Sequence, residues 1–153
     1  MRCIERGRRA AATVVAACLI CGAAGWPNRS AAAGALAVGL PADVAKEGFA
    51  FGYALEKSSG EEARAAALAD CRAESPGVDK RAQALCAPVG SFRNQCFAVA
   101  MDPKDATPGV GWAIAPNLQA ASRGALAKCV ATAGSDRRDA CKVTHAKCDG
   151  AAR

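Results

Sequence analysis

The sequence predicts an α+β fold: two pseudo-symmetric ββαβ repeats that share one antiparallel sheet, with two helices packed on one side of it and disulfides stabilising the whole. Three observations carry this expectation. Apolar segments recur in the same order in the two halves of the chain. Large and small residues alternate along strand-length runs, while alanine stripes mark the helices. Six cysteines remain once an export-signal-like segment is set aside, an even number in a small chain. The chain has 153 residues, enough for one ordinary domain.

The N-terminal segment comes first. A short basic stretch from Met1 to Arg9 precedes an uncharged apolar run over residues 10–25. Trp26-Pro27-Asn28-Arg29-Ser30 then breaks the run, and Ala31-Ala32-Ala33 supplies small side chains. Basic, apolar, then small is the order of a secretory signal peptide, so residues 1–33 are expected to be removed after Ala33. The run is shorter than the roughly 20 residues that span a bilayer, so no transmembrane anchor is expected after cleavage. Cys18 and Cys21 have redox-motif spacing but sit inside the hydrophobic run, and Cys18 also ends a lipoprotein-like Val15-Ala16-Ala17-Cys18. The apolar stretch continues past Cys18 through Leu19 and Ile20, which argues against lipidation. The expected location is the periplasm or the exterior.

The remaining 34–153 segment reads as a single domain, with one repeat over about 34–96 and the second over about 97–148. Leu36-Ala37-Val38 matches Phe97-Ala98-Val99, and Gly48-Phe49-Ala50-Phe51-Gly52-Tyr53-Ala54 matches Gly109-Val110-Gly111-Trp112-Ala113 with two residues fewer. Ala67-Leu68-Ala69-Asp70-Cys71 matches Ala125-Leu126-Ala127-Lys128-Cys129, then Cys86 matches Cys141 and Cys96 matches Cys148. Residues 35–40 and 97–101 are short apolar strands stopped by Pro41 and Asp102-Pro103, since proline cannot donate to a sheet ladder. Over residues 49–55 the alternation sets Phe49, Phe51, Tyr53 and Leu55 on one strand face. Gly109-Val110-Gly111 lacks the third glycine, the lysine and the following helix of a phosphate loop, so its glycines are read as close-packing positions. Trp112, which aligns with Tyr53, is read as core.

Ser59-Gly60-Glu61-Glu62 is a capping box that opens the first helix, and Asn117 can cap the second. Glu61 and Glu62 are thereby explained as first-turn acids, favoured by the helix dipole, rather than as a catalytic carboxylate pair. Ala63, Ala67, Leu68 and Cys71 form one helical stripe; Ala121, Ala125, Leu126 and Cys129 form the other. Ser75-Pro76-Gly77 and Gly134-Ser135 mark the breaks, and strands are expected to restart near Cys86 and Cys141.

The chain holds 40 alanines against 5% aromatics, so large core-filling side chains are few. Cross-links answer that shortage by limiting the unfolded chain's entropy, typically by ~2–4 kcal/mol each. Six cysteines allow fifteen pairings, and requiring invariance under exchange of the repeats leaves fewer than half of them. Among these, Cys71–Cys86, Cys129–Cys141 and Cys96–Cys148 are favoured. The first two would tie a helix end to the next strand, and the third would clamp the ends of the two copies together. Metal binding needs clustered Cys or His ligands, and the shortest gap between the six cysteines is Cys141 to Cys148. No cofactor or metal site is expected.

The run of segments GALAVGL, GFAFGYAL, EEARAAALADC, SFRNQCFAVAMD, GVGWAIA, ALAKC and CKVTHAKC resembles the bacterial exported family catalogued as domain of unknown function 4189. The resemblance spans residues 34–149, and its most specific parts are 91–100 and the glycine-aromatic-alanine strands. It implies an exported or periplasmic protein, with no enzymatic role and no catalytic residues. The insert between Cys71 and Cys86 is longer than members of that family usually carry.

Charge and chemistry narrow the function. The formal net charge is +6, yet five of the 20 basic residues lie before residue 34 against one acid. That leaves 15 bases and 13 acids beyond it, without a basic stripe, so nucleic acid is not an expected partner. His145 is the single histidine, on an expected strand beside cysteines expected to be bridged, which suits a surface residue better than a catalytic base. No catalytic residue is assigned. Arg93, Asn94 and Gln95 join two expected strands, and such polar loops on rigid scaffolds carry recognition. The expectation is a non-catalytic binding module for another protein or extracellular macromolecule. The alternatives are an inhibitor of a secreted hydrolase, acting through an exposed loop over residues 73–84, and an enzyme working with carboxylates alone.

Overall fold

The computed structural model describes residues 33–74 and 78–153. The expected export signal lies outside the described residues, apart from Ala33, which opens the first strand. Two antiparallel three-stranded sheets form. The first is built from β1 (Ala33–Gly39), β2 (Ala50–Lys57) and β3 (Ala87–Phe92), in the order β2-β1-β3. The second is built from β4 (Cys96–Met101), β5 (Val110–Ala115) and β6 (Lys142–Cys148), in the order β5-β4-β6. The single shared sheet expected from the sequence is therefore not formed. A short α1 (Val44–Glu47) lies between β1 and β2. The longer α2 (Gly60–Arg72) and α4 (Leu118–Thr132) follow β2 and β5, and α3 (Lys80–Ala84) precedes β3.

Side-chain size sorts the layers. The alanines of β1 and β2 pack on Ala63, Ala67 and Cys71 of α2. Ala98 and Ala100 of β4 pack on Ala121, Ala125 and Cys129 of α4. The large side chains point the other way: Leu36, Val38 and Phe92 of the first sheet, with Phe49 just before β2, meet Phe97, Val99 and Val110 of the second. Phe51, Tyr53 and Leu55 join them, so the predicted face of β2 is the observed one. The molecule is thus helix, sheet, sheet, helix. The helices do not share one side of a sheet; each covers the outer face of its own sheet. The physical reason is that a large-residue strand face must be covered, and helices on one side of a single sheet would have left it in water.

Two glycines set the helix-to-sheet spacing. A Cβ added at Gly52 would lie 2.0 Å from the Cys71 backbone nitrogen, and one at Gly111 would lie 2.4 Å from Ala125 O and Cys129 N. Gly52 pairs with Ala37, and Gly111 pairs with Ala100. The register irregularity between β1 and β3 falls at Leu36/Ala37, and that between β4 and β6 falls at Val99/Ala100. In each sheet the irregularity adjoins the alanine, Ala37 or Ala100, that pairs with the close-packing glycine.

The predicted caps are present. Ser59 Oγ accepts from the Glu62 N–H at 3.1 Å, and Asn117 Oδ1 accepts from the Ala120 N–H at 2.9 Å. The Glu62 carboxylate reaches back to the Ser58 N–H and hydroxyl. Those bonds, the hydroxyl one first, hold its pKa below the usual glutamate value.

Three disulfides close: Cys71–Cys86, Cys96–Cys148 and Cys129–Cys141. The first and third tie the end of a helix to the start of the following strand, as expected. Cys96–Cys148 has a different role from the one expected. It joins directly opposed residues of β4 and β6, within the second sheet, and clamps no two copies together.

Candidate functional site

Arg93, Asn94 and Gln95 connect β3 to β4. Asn94 takes a left-handed conformation, φ +48°, which asparagine tolerates better than most residues. Its Oδ1 accepts from the Ala151 N–H at 3.1 Å, and the Gln95 carbonyl accepts from the Asp149 N–H at 2.9 Å. Two turns, 93–95 and 149–151, are therefore laced together at one end of the second sheet, with Cys96–Cys148 directly beneath them. Gly150, φ +62°, completes the second turn, and a Cβ there would sit 2.5 Å from Asn94 Oδ1. Asn94 is consequently committed to holding the turn. The Arg93 and Gln95 side chains line a shallow cleft of about 310 Å³ with Ala33, Gly60, Ser91 and Phe92. Ser91 Oγ accepts from Arg64 Nη1 at 3.0 Å on the same side.

Below this turn lies a residue that the sequence did not single out. Asp149 is fully buried. Its Oδ1 accepts from the Glu56 N–H at 2.8 Å, which links the segment after β6 to the end of β2. Glu56 itself has φ +56°, so this strand end is turned aside where the carboxylate meets it. Asp149 Oδ2 has no hydrogen-bond partner among the described residues. The only sequence signal was an acid directly after the last cysteine.

The opposite end of the molecule carries a second polar anchor. Asp102 is 7% exposed and takes a two-pronged contact from Arg137, with Nε at 2.8 Å and Nη2 at 2.7 Å. The Lys104 N–H adds a third bond at 3.0 Å. The guanidinium hydrogen bonds, ahead of the Lys104 amide, lower the Asp102 pKa from 3.8 to about 2. This pair ties the β4–β5 loop to the segment after α4. In the sequence, Asp102-Pro103 reads only as a strand stop. A cleft of about 490 Å³ opens beside it, between the β1–β2 and β4–β5 connections, with Val44, Phe49 and Met101 among its apolar lining and Lys46, Lys104 and Asp105 among its charges.

His145 lies exposed on β6. Its ring meets Phe51 edge-on at 4.7 Å, and Nδ1 stands 3.3 Å from Thr144 Oγ1. Among the described residues no carboxylate is hydrogen-bonded to this imidazole, and no group of three or more His, Cys, Asp or Glu is placed to hold a metal ion. Trp112 joins the inter-sheet core with Tyr53, stacks on Phe49 at 5.7 Å and carries Lys128 Nζ at 5.6 Å from its ring centre. The 73–84 loop expected to be exposed is anchored in part: Ala82 is buried in α3, and Gln83 Nε2 donates to the Ala73 carbonyl at 3.0 Å. No described helix is long and apolar enough to cross a membrane.

Taken together, the fold and these two turns define a small α+β protein, layered helix-sheet-sheet-helix and stapled by three disulfides. The chain belongs to the family described as Domain of unknown function (DUF4189), whose sequence profile matches residues 33–148. No curated protein and no solved structure matches it.

Proposed function

We propose that this chain is a non-catalytic binding module, exported to the periplasm or beyond, whose two halves descend from one duplicated unit. Its partner is another protein or an extracellular macromolecule, met through the polar end that carries Arg93 and Gln95. The observation that carries this reading is the fixing of that end: the 93–95 and 149–151 turns share two hydrogen bonds and flank one disulfide. A surface already ordered loses little conformational entropy on binding, which is the physical advantage of preorganisation. The exposed His145, bonded to no carboxylate among the described residues, supports the non-catalytic part.

The test is capture from an extracytoplasmic extract by the full chain, followed by titration of whatever purified partner is retained. Arg93→Ala with Gln95→Ala should weaken that titration at least about tenfold, while circular dichroism stays unchanged. A folded chain that retains nothing, or binding indifferent to both substitutions, overturns the reading.

A further inference from the structure

Four strands lie at sheet edges, and three of them carry a local obstacle to a further strand. On β2, the Tyr53 N–H is taken by Asp70 Oδ2 at 2.9 Å and the Glu56 N–H by Asp149. On β5, the Val110 N–H and carbonyl are both held by the Thr132 hydroxyl, at 2.9 and 2.8 Å. On β3, Pro88 has no N–H to offer, and such residues guard edges. The seven-residue edge of β6 has no such obstacle: among the described residues its backbone pairs only with β4.

The faces of β6 differ in chemistry. Lys147, His145 and Lys142 stand opposite Phe97, Val99 and Met101, so they lie on the inter-sheet side. All three are exposed, and neither lysine has an acidic partner within 4.0 Å among the described residues. Val143 and Ala146 lie on the other face, against the α4 layer. A strand added to this edge would place alternate side chains beside two lysines and a histidine, and the intervening ones beside small apolar groups. The geometry points to an extended polypeptide with acidic residues at alternate positions and apolar residues between them, docked on β6 by strand addition. A second copy laid antiparallel would set lysine against lysine, so the charge pattern selects an acidic partner over self-pairing. This surface is separate from the Arg93–Gln95 end, so it goes beyond the reading above.

The probe is a short blocked peptide alternating Glu and Val, titrated against the full chain at low salt. The peptide should bind and slow amide hydrogen exchange in β6. The same peptide N-methylated at alternate residues, which removes ladder donors, should bind at least about tenfold more weakly. Lys142→Glu with Lys147→Glu should weaken the acidic peptide to a similar degree and improve binding of a Lys/Val peptide. Absence of binding, equal binding of the N-methylated peptide, or a concentration-dependent dimer with protected β6 amides each overturns the inference. Any of these alongside Arg93-dependent capture leaves the binding-module reading standing.

Discussion

Asp102 shows how much one side chain can depend on its partner. Its pKa falls to about 2 because Arg137 donates two hydrogen bonds to its carboxylate and Lys104 a third. A group whose folded pKa is depressed stabilises the fold above its unfolded pKa and loses that contribution as pH falls through the folded one. Stability should therefore drop from about pH 4, the ordinary aspartate range, towards about 2. Asp102→Asn should be less stable at neutral pH and should flatten that part of the acid dependence. Urea titrations at several pH values check both. An unchanged acid slope in Asp102→Asn would mean that another carboxylate sets it. Glycine gives a second test at the same scale. Gly52→Ala sets a methyl against the α2 backbone and should cost about 1–3 kcal/mol. Gly90→Ala meets nothing within 4 Å and should lie within about 0.5 kcal/mol of the parent. Thermal melts of the pair separate close packing from general intolerance.

Helix starts were the most legible elements, because capping is local chemistry: Ser59 and Asn117 were readable, and each bonds the N–H three residues on. The stripes were readable too, since Ala63, Ala67 and Cys71, and Ala121, Ala125 and Cys129, are the buried residues of their helices. Partner choice among cysteines was readable, but the role of Cys96–Cys148 was not, because pairing within a sheet depends on strand register. The loops closed by the three disulfides span 15, 12 and 52 residues. In the chain-entropy account, removing a short loop's bond costs about 3 kcal/mol and removing the long one's costs about 4. Double alanine variants of each pair, compared by denaturant midpoint, should rank Cys96–Cys148 as the largest loss. Equal losses would show that native contacts, and not loop length, govern the effect.

At the scale of the molecule, stability rests on the face between the sheets. Phe97 is fully buried there, with the Tyr53 ring at 4.9 Å and the Phe92 ring at 6.2 Å. Few other side chains of that volume are available in an alanine-rich chain, so Phe97→Ala should cost about 3–5 kcal/mol. It should also loosen the sheets from each other before it loosens either helix from its sheet. Hydrogen exchange should show β1 and β4 amides losing protection while α2 and α4 keep theirs relative to the global change. Uniform loss would mean that the four layers open as one unit.

The candidate site was half legible. Arg93, Asn94 and Gln95 were found because a polar run between two apolar strands marks a connection. Their contact with residues 149–151, and the buried Asp149 beneath, join positions more than fifty residues apart. No local pattern encodes such a meeting. The same holds for Asp102 and Arg137, which are 35 residues apart.

Composition and period by themselves settled the strands and the two long helices but not the short α1 and α3, and they settled which face of each long element is apolar and which side chains are small enough to let a helix approach a sheet. These are properties of neighbours along the chain, fixed by backbone geometry. What covers the large-residue faces was settled only in three dimensions. Alternation states that Phe49, Phe51 and Tyr53 leave water, yet it is silent on whether a helix or a second sheet receives them. The two sheets answered by stacking face to face, because each offered the other its face of large apolar side chains.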